Sequence, residues 1–168
     1  MTLVVCLSYG VSVADWQRQG ILARETAGYR RRPGTVMLLA SDLTHSAQRI
    51  AASVEPLRIL ARPRWCPVLL YGLISPVLHW RRLRGADEIR MHNGPAAFTA
   101  VIAYLLFGGR LVARFGFVWS WDMVRRGVPL WKLLPVLVSE WLACRLADRI
   151  EVSAASQAAY LKAVHGVM

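Results

Sequence analysis

The chain has 168 residues, 55% of them hydrophobic and 18% charged, which suits one domain with a real core and excludes disorder. Lys and Arg total 21 against 10 Asp and Glu, a formal charge of +11, so anionic partners are favoured: nucleic acid, phosphorylated ligands or an anionic membrane surface. Cys6, Cys66 and Cys144 lie far apart with no CxxC, which argues against a metal cluster or disulfide framework and for small core residues in a reducing compartment.

In chain order, Leu3–Leu7 is a short continuous apolar run, as a central parallel strand requires, and it runs out near Gly10. Ser12 followed by Asp15 is a capping signal for a helix from Val13 to about Arg31. Pro33-Gly34 is a turn and Thr35–Leu39 the second strand. Residues 41–56 are polar and specify no clear element. Leu57–Leu60 reads as a third strand closed by Pro63, and Trp65–Leu83 as a helix interrupted at Pro76.

Ile89–His92 is the next strand, and Asn93-Gly94-Pro95 turns into a helix that Gly108-Gly109 ends. Leu111–Arg114 is a strand. Leu130–Leu146 is a helix with Leu130, Leu134, Leu137 and Trp141 as its apolar stripe. Trp119, Trp121 and Trp131, with Arg125 and Arg126, form an aromatic and basic cluster in a loop, suited to core packing or to an interfacial membrane contact. Ile150–Val152 is the last strand, and Ser153 or Ser156 caps a final helix through Tyr160 to Ala163.

Strands alternating with helices mean right-handed crossovers, so the expected fold is α/β and Rossmann-like. It has a mainly parallel sheet of about six strands with helices on both faces, in one domain over residues 1–168. Residues 1–10 lack a signal-peptide pattern, and the apolar runs Pro95–Gly109 and Trp65–Trp80 fall short of the roughly 20 residues of a membrane span.

Four local patterns occur in the order and spacing of the acceptor-side domain of family-4 glycosyltransferases. They are the strand, Gly10 and the helix holding Trp16, Gly20, Arg24 and Glu25; Ile89-Arg90-Met91-His92-Asn93; Gly109–Gly116; and Glu140-Trp141 with Ala147–Ser153. The chain resembles that family over nearly its whole length. It departs from the family's pattern at Phe115, where the family has a histidine, and at His165-Gly166, beyond which the family continues into a nucleotide-sugar domain.

The resemblance implies the N-terminal half of a GT-B enzyme that transfers a sugar from a nucleotide sugar to a glycan or lipid-linked acceptor in envelope or polysaccharide assembly. With the C-terminal domain absent, the chain alone is expected to be inactive. Its expected place is the cytoplasm, peripheral at the inner face of the membrane. The alternatives are a non-catalytic interaction or remnant domain and a small basic membrane-associated protein. No metal or cofactor is expected. No nucleic acid is either, since helix-turn-helix, RNP and zinc signatures are all missing.

Ligands of open parallel sheets bind beyond the carboxyl ends of the strands. That rule selects Gly10, His92, Asn93, Arg114, Gly116 and Ser153 as candidate substrate-binding residues. Gly10 lets backbone approach a ligand beside a helix start whose N–H groups suit phosphate. His92 is placed to orient or deprotonate an acceptor hydroxyl, or else is structural, with Asn93 shaping the turn. Arg114 offers a fork for phosphate or carboxylate, or pairs with Glu140 or Asp148. Glu140, in an apolar helix, is expected to pair with an Arg, and Arg24 and Glu25 to lie on a solvated face.

Overall fold

The structure, a computed structural model, describes residues 1–7, 10–51 and 57–166. Six strands form one sheet in the order β3-β2-β1-β4-β5-β6, and every pairing is parallel. They are β1 (Thr2–Cys6), β2 (Thr35–Leu43), β3 (Leu57–Arg62), β4 (Glu88–His92), β5 (Arg110–Phe115) and β6 (Arg149–Val152). The expected α/β, Rossmann-like fold is therefore the observed one. β1 is central because its Leu3–Cys6 run is apolar on both faces.

Each strand divides its side chains between the two faces. Leu3 and Val5, Val36 and Leu38, and Leu57 pack on one side with α1 (Val13–Arg18), α2 (Ile21–Arg30) and α3 (Thr44–Ala51). Val4 and Cys6, Met37 and Leu39, Ile89 and Met91, and Leu111 and Phe115 pack on the other. That second side is covered by α4 (Val68–Leu78), α5 (Trp80–Leu83), α6 (Ala97–Phe107), α8 (Leu130–Leu146) and α9 (Ala155–His165). α7 (Trp119–Arg125) packs on α8.

Several local expectations are corrected. The single helix over residues 13–31 is two, because Gly20 takes φ 69° and breaks the ladder after Arg18. Polar residues 41–51 are ordered: β2 runs on to Leu43 and α3 follows, while residues 52–56 lie outside the described residues. Trp119–Arg125 is helix rather than loop. Neither Ser153 nor Ser156 caps α9, whose N-cap position is Ala154 with no side-chain bond.

Pro76 sits inside α4, and the helix passes through it to Leu78. The proline has no N–H for the carbonyl four residues back, that of Gly72, and the Thr99 hydroxyl of α6 donates to that carbonyl instead. Polar groups thus join α4 to α6 on their inner sides. The same pattern extends to α8, where Ser139 and Glu140 point inward and the expected core stripe of Leu130, Leu134 and Trp141 points out.

α1–α3 lie mainly over β1–β3, and on that face β4–β6 carry several charged side chains. Arg90 pairs with Glu88 (3.0 Å) and Glu151 (3.4 Å), and Arg32 of the turn after α2 reaches Glu88 (3.1 Å).

Candidate functional site

The candidate residues converge where β4, β5 and β6 end. Asn93 follows β4 at φ 70° and ψ 162°, the one non-glycine residue with positive φ among the described residues. Its backbone N–H donates to the Arg114 carbonyl (3.0 Å), and its Oδ1 accepts from the Gly116 N–H (3.0 Å). A Cβ on Gly116 would sit 2.9 Å from that Oδ1, so a larger residue there would push the Asn93 side chain aside. Ser153 then ties β6 in: its Oγ donates to the Gly116 carbonyl (2.7 Å) and its N–H to the Phe115 carbonyl (3.3 Å). Asn93, Gly116 and Ser153 therefore form one stitched rim.

His92 stands beside that rim, with its ring 4.6 Å from the Trp16 ring in an edge-on contact. Burial, reinforced by the Arg114 guanidinium, holds its pKa down to about 4, so the imidazole is neutral near pH 7. His92 and Arg114 are direct neighbours in the β4–β5 register. Arg114 is already paired, since both its terminal nitrogens bond the Glu25 carboxylate (2.9 and 3.2 Å). Burial alone would raise the Glu25 pKa, but the Arg114 fork prevails and holds it below the usual carboxylate range. The same bonds raise the pKa of Arg114. Thus Glu25, expected on a solvated face, is the partner Arg114 finds, in place of Glu140 or Asp148.

Gly10 turns at φ 73° and is exposed, but the helix start beside it is already filled. Ser12 caps α1 by accepting from Asp15 N–H (2.9 Å). The buried Asp42 carboxylate accepts from Val13 N–H (2.5 Å) and Ala14 N–H (3.1 Å). Asp42 lies in the segment that resisted reading, and it takes the donors proposed for a phosphate. A second anion there would meet the charge of Asp42 and Asp15.

Beneath the rim, Glu140 is fully buried and bonds Ser120 through the backbone N–H (3.2 Å) and the hydroxyl, with His165 Nε2 at 3.6 Å. This replaces the expected arginine partner. A Cβ on Gly94 would lie 3.0 Å from Glu140 Oε1, so the turn after Asn93 rests directly on this cluster. Phe115 is buried in the core, so its face of the strand carries no polar group to the rim.

Beside the rim, a hollow of about 230 Å³ is lined by Arg24, Glu25, Tyr29, Arg32, Arg90 and Arg114. A larger hollow, about 670 Å³, lies at the far edge of the sheet between α3, β3 and α5 and contains none of the candidate residues. Among the described residues no group of three or more His, Cys, Asp or Glu is placed to hold a metal ion. No protein-family model, no curated protein and no solved structure matches this chain.

Proposed function

We propose that this domain is the acceptor-side half of a GT-B glycosyltransferase, serving transfer from a nucleotide sugar to a glycan or lipid-linked acceptor in envelope or polysaccharide assembly. The observation that carries the reading is the rim at the ends of β4–β6, where a neutral His92 stands beside the strained Asn93 and the bare backbone of Gly116. A neutral imidazole accepts a hydrogen bond from a sugar hydroxyl, and Gly116 leaves room for the ring to approach. With a pKa near 4, His92 is too weak a base to hold the proton of that hydroxyl, so its role is to orient the acceptor.

Donor binding belongs to a second domain in this reading. The α1 start is filled by Asp42, and Arg114 is held by Glu25, so each already holds a carboxylate. The location we propose is the cytoplasm, at the inner face of the membrane. The pairing of Arg114 with Glu25, and of Ser153 with the Gly116 carbonyl, also favours a second reading, a non-catalytic interaction domain.

One titration separates the two readings. The chain is mixed with candidate glycan or lipid-linked acceptors and with nucleotide sugars, alone and with a candidate C-terminal half. Acceptor binding that His92→Ala weakens about tenfold, with transfer restored by the added half, is the expected result. Transfer by the chain alone overturns the division of labour, and absence of acceptor binding in both settings leaves the interaction domain.

A further inference from the structure

The helical layer of α4, α6 and α8 is built inside out. Much of its inner surface is small or polar: Ser75 from α4, Thr99 and Ala100 from α6, Ser139 and Glu140 from α8, beside the larger Tyr71, Val101 and Leu133. Many of its large apolar side chains face away from the sheet. Leu69 is 73% exposed, Leu105 66%, Leu130 69% and Trp131 72%. Because α4 contacts α6 and α6 contacts α8, these rows adjoin in one continuous apolar face.

Charge is distributed around that face and not across it. α4 and α6 carry no charged residue, and the single acid of α8, Glu140, is buried. Cations stand at both ends of the layer. Arg64, Arg125 and Lys132, with Arg126 paired to Asp122 (2.7 Å), lie at the end where α4 and α8 begin, and Arg81, Arg82 and Arg145 at the end where they finish. Exposed tryptophans accompany them: Arg81 and Arg84 lie over the Trp80 ring (5.7 Å each), and Lys132 over Trp131 (5.0 Å). An apolar plain bordered by tryptophan and arginine matches the layering of a membrane surface, acyl chains within and anionic headgroups around.

We propose that the outer face of α4, α6 and α8 lies on an anionic lipid bilayer. Among the described residues no helix is long and apolar enough to cross a membrane, so the helices rest in the interface rather than span it. The cationic border selects this occupant over a second copy of the chain, which would set arginine against arginine. The inference extends well beyond the 119–131 cluster and does not depend on the glycosyltransferase reading. Together, the two would put the rim of β4–β6 next to the headgroups, since α8 begins at the carboxyl end of the sheet.

The test is flotation with phosphatidylcholine vesicles, with and without phosphatidylglycerol, at low and high salt. Binding to the anionic vesicles that salt weakens is expected, with brominated acyl chains quenching tryptophan fluorescence less in Trp131→Phe than in the unmodified protein. Leu105→Glu with Leu134→Glu abolishes binding while the circular dichroism melt is unchanged. Arg81→Gln with Arg82→Gln lowers anionic partitioning about tenfold. Equal recovery with neutral and anionic vesicles, no quenching, or a solution dimer that Leu105→Glu dissociates would each overturn the proposal.

Discussion

The two helical layers of this sheet obey opposite rules. In α1–α3 the large apolar residues Val13, Trp16, Leu22 and Ile50 are buried, while Arg18, Arg24 and Arg49 face water. In α4, α6 and α8 many inner positions are small or polar, and several leucines and tryptophans face out. Helical periodicity reports that a helix has an apolar stripe, but not which neighbour satisfies it. Where a second apolar phase is available, hydrophobicity and burial in the fold become separate properties.

The largest expected contrast pits Phe115 against Leu105. Phe115 is fully buried, so Phe115→Ala removes its packing and leaves a cavity, at a cost of about 3–5 kcal/mol. Leu105→Ala, on the outer face, changes stability in lipid-free solution by less than about 0.5 kcal/mol. Denaturant unfolding measures both. A large loss at Leu105 would mean that the outer face is packed in solution, and the contrast would collapse.

Next is the polar interior of the second layer. Glu140→Ala strands the Ser120 N–H and hydroxyl in a buried space, costing about 2–4 kcal/mol. If Glu140→Leu proves neutral by the same denaturant curves, apolar packing replaces the cluster and the polar interior is dispensable.

The sheet was legible because its strands are short apolar runs set between turn residues, and parallel strands need little more. The partnerships were not. Arg114 meets Glu25 across 89 positions, and Asp42 bonds the start of α1 from the end of β2. Both are contacts that local spacing cannot encode. His92, Asn93 and Gly116 were found because a strand end followed by a turn residue is a local signal. Their roles needed the third dimension: Asn93 bonds Gly116 N–H, and Trp16 from the first layer seals His92.

That seal makes a pH prediction. His92 binds its proton near pH 4 when folded and near 6.5 when unfolded, so in between the unfolded chain holds more protons. Stability is whole above about pH 6.5 and falls as pH drops toward 4, by on the order of 3 kcal/mol at most. His79, lowered mainly by its own burial, adds to the slope, whereas the Glu25 contribution is lost only at lower pH. The difference between wild type and His92→Gln in thermal melts at successive pH values isolates the His92 share. Identical slopes would mean the imidazole is solvated, and the first layer does not close over the rim.

The smallest effect separates strain from bonding at Asn93. With φ 70° and ψ 162° the residue occupies a region that glycine alone enters easily, at a cost of about 1–3 kcal/mol. What holds it there is its bond to Gly116 N–H and its own N–H to the Arg114 carbonyl. Asn93→Ala keeps the strain and loses the side-chain bond, so it should destabilise by about 1 kcal/mol. Asn93→Gly loses the same bond but relieves the strain, so the two terms oppose and stability should change by less than about 1 kcal/mol. If the strained turn serves to hold the Gly116 backbone open for an acceptor, Asn93→Gly should keep the wild-type melting temperature yet weaken acceptor binding. A glycine variant equal to wild type in both would make Asn93 a turn residue only, and the rim would rest on His92 and Gly116.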